Sequence, residues 1–265
     1  MTSDISLFSK KILDHSIEFK IIGDLNSDKL TVILLHEGLG SVSMWKNIPE
    51  KIFNYTGYNV VVYSRPGYGK STPVKLPRSL DYMTIEANKY LPEILKQLNL
   101  KKYILIGHSD GGTIAAINSG INENNNLQGI VLVAPHFFIE GFNIESIKKI
   151  KKKYEKEGLR EKLLKYHKNV DNAFYGWSET WLNPNFMDWN ITNQIQNIKV
   201  PVFAIQGNAD PYGSVKQIDV LEKKLNVNFN KLVLENCGHN PFFERTEEIL
   251  SRIKSFINEI ENKKN

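Results

Sequence analysis

Five residues, Gly107-His108-Ser109-Asp110-Gly111, constrain this chain more than any other stretch. An apolar run, residues 103–106, leads in, and the small residues Gly112-Thr113-Ile114-Ala115-Ala116 lead out. A strand that passes into a helix over so few residues makes a sharp turn. Ser109 then stands at its apex in a strained conformation, with its hydroxyl exposed at the sheet edge. The flanking glycines let backbone pack close around the turn, and the N-terminus of the following helix favours negative charge beside the serine.

The rest of the chain supplies the sheet such a turn needs. Short apolar runs at residues 30–35, 59–63, 103–106, 129–133, 200–205 and 231–234 are rich in Val, Ile and Leu without polar alternation. That pattern suits parallel strands buried on both faces. Residues 17–22 add an outer strand. Helical patterns lie between the runs, at residues 80–98 and 112–120. At 246–260, Ile249, Leu250, Ile253, Phe256, Ile257 and Ile260 form the stripe of a helix docked on a sheet. The expected fold class is α/β, a three-layer sandwich around a mostly parallel, twisted sheet.

Residues 139–198 break the alternation. They hold no convincing strand. Residues 144–166 read as one charged amphipathic helix, and residues 169–182 are aromatic, with Phe174, Tyr175, Trp177 and Trp181. Three of the four tryptophans lie here. The expectation is a core of residues 1–138 and 199–265, one structural unit, carrying a helical cap inserted at 139–198. Most of these aromatics glue the cap to the core, and Trp177 and Trp181 line a cavity beneath it. Residues 122–126, an Asn-rich patch, read as a surface loop.

Composition narrows the function classes. The net charge is +5, but the lysines are diluted by acids, as from Lys148 to Glu161, so nucleic-acid binding is not expected. Lys148 to Lys153 reads as a solvated helix face. No stretch approaches the roughly 18 apolar residues that cross a bilayer. With one cysteine, Cys237, no intrachain disulfide forms. The polar start at Met1-Thr2-Ser3-Asp4 carries no signal-like run, so the expected location is cytoplasmic, as a monomer or homodimer. Gly69-Lys70-Ser71 imitates the end of a phosphate loop, but Ser64 stands where that motif needs glycine. No Gly-x-Gly-x-x-Gly occurs at a strand–helix junction, and the histidines show no metal-ligand spacing. No metal and no cofactor are expected.

A serine hydroxyl needs a base. His239, in Asn236-Cys237-Gly238-His239-Asn240-Pro241 after the final strand run, is the candidate. His15, His136 and His167 lie in no such loop. His108 adjoins the serine but faces wrongly for a base, and His36 supports the loop after the first buried strand. The base needs a carboxylate to hold its tautomer. Asp210, in Gln206-Gly207-Asn208-Ala209-Asp210-Pro211, follows a strand run and leads Asp219 and Glu235 as candidate. Donors for a developing oxyanion fall to the backbone N–H groups of Asp110 and of Gly38, with Leu39 second, in the loop His36-Glu37-Gly38-Leu39-Gly40-Ser41.

These segments together resemble the α/β-hydrolase superfamily along almost the whole chain, and the Ser, Asp, His order is the one that fold expects. Ser64-Arg65-Pro66-Gly67-Tyr68-Gly69-Lys70-Ser71 resembles the family's R-x-G-x-G-x-S loop. The His36–Ser41 loop, the serine turn and the Cys237–His239 segment look like a bacterial lid-bearing subgroup similar to carboxylesterases and to C–C bond hydrolases of aromatic-ring degradation. Glu37 stands where the family commonly has glycine, and Asp110 where an apolar or amide residue is usual. Both bring carboxylates near the serine, and Glu37 and His108 join the tryptophans as expected pocket residues. The resemblance implies hydrolysis of a small acyl substrate, first a carboxylic ester. The alternatives are C–C hydrolysis of ring-cleavage products, acyl transfer, and a non-enzymatic small-molecule receptor on the same fold.

Overall fold

Apolar strands, mostly buried, pair with an exposed edge strand into one eight-stranded sheet in a computed structural model that describes residues 4–122 and 124–262. The strands are β1 (Ile5–Ile12), β2 (His15–Ile22), β3 (Thr31–Leu35), β4 (Asn59–Ser64), β5 (Tyr103–His108), β6 (Leu127–Val133), β7 (Val202–Gly207) and β8 (Phe229–Leu234). Their order is β1-β2-β4-β3-β5-β6-β7-β8, parallel from β4 to β8 and antiparallel at β1 and β2.

The helices are α1 (Ile48–Thr56), α2 (Tyr82–Ile85), α3 (Leu91–Leu98), α4 (Asp110–Ile121), α5 (Gly141–Lys156), α6 (Leu159–Leu163), α7 (Val170–Trp181), α8 (Thr192–Ile195), α9 (Lys216–Lys224), α10 (Pro241–Glu244) and α11 (Thr246–Asn262). Successive strand residues point to opposite faces, and two cores result. Ile33, Leu35, Leu105, Leu132 and Ala204 pack with α3, α4 and α9 on one face. Val32, Leu34, Ile104, Ile106, Val131 and Val133 pack with α1 and α11 on the other. The fold is a three-layer α/β sandwich.

Three expectations change. Residues 17–22 belong to β2, which is not the outer strand: β1 pairs outside it. Seven of the eight β1 residues are exposed, so no buried apolar run marks it. The helix expected at 80–98 begins at Tyr82 and passes through a π-helical turn at Glu86–Tyr90 between α2 and α3. The single charged helix expected at 144–166 is two, because Gly158 adopts φ 73° and ends the first. The expected loop at 122–126 is exposed at Asn124, Asn125 and Asn126, while Glu123 lies outside the described residues.

Between β6 and β7 the chain adds α5 to α8 and, among the described residues, only one isolated bridge, Phe138 with Asn190. This insertion leaves from the C-terminal ends of the parallel strands, the sheet edge where the loops after β3, β5, β7 and β8 also meet. No helix among the described residues is long and apolar enough to cross a membrane.

Candidate active site

The turn between β5 and α4 is fixed by backbone contact. Ser109 adopts φ 53°, ψ −120°, a conformation rare for a residue with a side chain. Its N–H donates to the Val133 carbonyl at 2.8 Å. A Cβ on Gly107 would lie 2.2 Å from the Gly111 oxygen, and one on Gly111 would lie 2.1 Å from the Leu35 oxygen. The two glycines are therefore required by the close approach of strand, turn and helix, which hold the serine in its strained geometry.

Beyond β7, the loop that carries Asp210 is stitched together by its own carboxylate. Oδ1 accepts the Tyr212 N–H at 2.7 Å. Oδ2 accepts from Gln206 Nε2 at 2.8 Å and from His239 Nδ1 at 2.7 Å. Burial pushes the Asp210 carboxyl up, but the charge and hydrogen bond of His239 and the Tyr212 N–H outweigh it and hold it below its usual value. A proton on Nδ1, given to this carboxylate, leaves His239 Nε2 as the free basic nitrogen. The rival acids are engaged elsewhere: Asp219 pairs with Lys231 at 3.1 Å, and Glu235 accepts from Asn208.

His108 lies on the other side of His239, its ring centroid 5.2 Å away. Its Nε2–H donates to the His239 carbonyl at 2.7 Å, and burial first, then the charge of His239, pushes its pKa down to about 3. It is a neutral strut for the His239 loop. Cys237, buried in the core beneath α11, has its thiol pushed up to about 11 by burial.

The loop after β3 is tied down through its carbonyls. Arg65 donates to the carbonyls of His36 and Glu37, the latter at 3.1 Å, and its own N–H reaches His36 Nε2 at 3.0 Å. His167, from the insertion, accepts the Gly69 N–H at 3.0 Å and donates to the Leu39 carbonyl at 2.8 Å. With these oxygens engaged, the N–H groups of Gly38 and Leu39 have no partner among the described residues. The Asp110 N–H opens the first turn of α4, where no carbonyl four residues back is available to a helix. The Trp177 indole packs so closely that a Cβ on Gly38 would lie 2.2 Å from its Nε1.

A cavity of about 280 Å³ joins these parts. Ser109, His239, Glu37, Gly38, Leu39, His108, Asp110, Trp177 and Trp181 all line it, with Asp210 behind His239. No lysine or arginine lines it, and no group of three or more His, Cys, Asp or Glu among the described residues is arranged to hold a metal.

The alpha/beta hydrolase fold family matches residues 31–192. The chain belongs to that family. Pimeloyl-[acyl-carrier protein] methyl ester esterase of Wigglesworthia glossinidia brevipalpis is 28% identical over 90% of this chain and 96% of its own. Proline iminopeptidase of Lactobacillus acidophilus is 23% identical over 92% and 95%. Among solved structures, a carboxylesterase from the Thaumarchaeon Nitrososphaera gargenis superposes with a TM-score of 0.78 at 16% identity, covering 97% of this chain and all of that one. Esterases and peptidases of the family thus share this architecture, and the chain is a hydrolase by kinship.

Two carboxylates, of Asp110 and Glu37, stand in the cavity wall beside the serine. Asp110 is buried, and its Oδ2 accepts from the Tyr82 hydroxyl, which in turn accepts from Trp181 Nε1 at 2.9 Å. Arg65 Nη2 lies 3.8 Å from the same oxygen. Burial raises the Asp110 carboxyl, and Arg65 and Tyr82 pull it back only in part. Its side chain is thus committed to α2 and the Arg65 loop. Glu37 stands with Oε2 3.9 Å from His108 Nδ1, and burial raises its carboxyl too.

The sequence reading missed other cavity residues, among them Met44, His136, Asn143, Leu163 and Tyr212. Ile147 and Ile150 carried a signal, the apolar stripe of α5, and Asn143 falls on that stripe one turn earlier.

Proposed function

We propose that this chain is a serine hydrolase that cleaves a small neutral acyl substrate, first a carboxylic ester, with Ser109 as nucleophile, His239 as general base and Asp210 as its orienting acid. The observation that carries the reading is the 2.7 Å bond from His239 Nδ1 to a buried Asp210, with His239 and the strained Ser109 lining one cavity. Residues 139–198 act as its lid, contributing Ile147, Leu163, Trp177 and Trp181 to the cavity wall.

His239 Nε2 takes the Ser109 proton as Oγ attacks the scissile carbonyl carbon. The carbonyl oxygen becomes an oxyanion held by the N–H groups of Asp110 and Gly38, with Leu39 adjacent. Asp210 stabilises the imidazolium. The imidazolium then protonates the departing alkoxide, and an acyl-enzyme remains. Water, deprotonated by His239, attacks that acyl carbon, and collapse returns the proton to Ser109 and releases the acid. The helix dipole of α4 lies along the developing charge. The reaction needs no cofactor.

The cavity lining favours a neutral acyl group: an anionic chain would meet Glu37 and no cation. The test is turnover of p-nitrophenyl esters of two- to six-carbon acids, beside a ring-cleavage product followed by its yellow absorbance. Ester turnover that disappears in Ser109→Ala supports the reading. Decay of the ring-cleavage product alone moves the chain to C–C hydrolysis, and product yield raised by an added alcohol acceptor moves it to acyl transfer.

A further inference from the structure

Among the polar side chains of the cavity wall that the mechanism does not use, two stand out. Asn143 is 1% exposed, and both its Oδ1 and Nδ2 lack a hydrogen-bond partner within the protein. His136 is 3% exposed, and its Nδ1 is likewise unpartnered. Both residues line the cavity that holds Ser109 and His239. A buried amide with neither end paired costs free energy that ordinary packing does not return. Leucine would fill the same space without that cost, so the position asks for a ligand.

The fold fixes where this polar end lies. Glu140, just before α5, accepts from the Ser214 N–H at 2.9 Å and the Ser214 hydroxyl at 2.6 Å. Ser146 donates to the Pro211 carbonyl at 2.7 Å. The first turns of α5 are therefore docked on the loop that carries Asp210, and Asn143 sits between the two tethers. Further along the same face, Ile147 and Ile150 continue the wall, and Leu159 and Leu163 complete its apolar end. The His136 ring centroid is 5.8 Å from that of His239, and Asn143 is held over the Asp210 loop by the tethers on either side of it, so both belong to the end of the cavity beside the reacting centre. Burial pushes the His136 pKa down to about 4, which leaves a neutral ring offering one donor and one acceptor.

We propose that Asn143, with His136 beside it, is a specificity-determining subsite for a neutral group that both donates and accepts a hydrogen bond, an amide above all, carried by the acyl portion close to the scissile carbonyl. This rests on the hydrolase reading above and names its substrate class: an acyl group polar near the carbonyl and apolar beyond. An amide in the substrate supplies an N–H to Asn143 Oδ1 and a carbonyl to Nδ2. A plain alkyl chain of the same shape leaves both unpaired, which is the arrangement by which a site rejects the analogue lacking the polar group.

The test compares p-nitrophenyl esters of N-acetylglycine and of 4-methylpentanoic acid, which match in heavy-atom shape. Their ratio of kcat/KM is measured in the wild type and in Asn143→Leu. Taking the ratio of ratios cancels the intrinsic reactivity of the two esters and any general damage to the enzyme. The ratio falls fivefold or more in the variant if the subsite reads the amide; a smaller change overturns the proposal. Should Asn143→Leu fail to fold, Asn143→Ala is judged by the same criterion. If the wild type turns over neither ester, the hydrolase reading fails by itself. The subsite is then judged by the dissociation constants of the two methyl esters for Ser109→Ala with and without Asn143→Leu, on the same fivefold scale.

Discussion

The sheet body and the helical insertion both wall the same cavity, but they are held together by different means. The body fixes its groups with backbone contacts and buried polar bonds: glycines packed on carbonyls at the serine turn, a carboxylate with four donors at Asp210, and Arg65 on the carbonyls beside Gly38. The insertion contributes mostly apolar surface from α5, α6 and α7, and is tied to the body at its margins by polar links such as His167 to Leu39, Asn172 to Val74, Glu140 to Ser214 and Trp181 to Tyr82. On the proposed reading, chemistry falls to the body and selection to the insertion. Damage to the body then shows in kcat, and damage to the insertion in KM.

The sharpest break of this comparison is Asp210→Asn. It keeps the shape of the loop but removes the charge that holds His239 Nδ1–H, and kcat falls about 10³-fold or more with KM little changed. Steady-state kinetics on an ester substrate reads both quantities. A large change in KM would place Asp210 in binding instead.

Acid comes next, and it strikes body and insertion together. Burial holds His36 well below its usual pKa, His108 at about 3, and His136 and His167 at about 4. Unfolded histidines titrate near 6.5. Below that pH the unfolded chain binds more protons than the folded one, so stability falls as pH falls from about 6.5 towards 4. The slope of unfolding free energy against pH, from urea melts, is positive over this range, the share of the four histidines offset in part by the raised carboxyls of Glu37, Glu86 and Asp110. His167→Asn lowers it by the share of about one proton, which isolates the insertion's share.

Ile147→Ala enlarges the cavity from the insertion's side. For an ester with an apolar tail, KM rises about tenfold while kcat stays within about threefold. A kcat loss larger than the KM change would show that α5 positions reacting groups as well as selecting substrate.

The smallest effect probes the seam. Tyr82→Phe removes the hydroxyl that bridges Trp181 and Asp110, and kcat falls about fivefold because the Asp110 N–H loses part of its support. An equal loss in Tyr82→Phe and Trp181→Phe, with no further loss in the double variant, identifies the bridge as the path.

Where the body was legible in the sequence, the constraint was local. The serine turn announces itself because five adjacent residues carry all of its demands, and the buried strands because each is a continuous apolar run. β1 was not, because its side chains face solvent and its pairing with β2 is a property of the sheet. In the insertion, helix and aromatic content were legible, but the break at Gly158 was not, since one glycine in a charged helical pattern is tolerated as often as it terminates. Trp177 and Trp181 lie in the cavity wall. Asn143, His136 and Tyr212 escaped notice because their place there depends on how α5 docks on the Asp210 loop, which no local pattern encodes.

The central claim is that Ser109 is an activated nucleophile. A fluorophosphonate probe applied to the wild type and to Ser109→Ala, followed by mass-spectrometric mapping of the adduct, tests it most directly. The account predicts a covalent adduct on Ser109 in the wild type and none in the variant. A folded wild type that takes no adduct, or takes one at another residue, would contradict it.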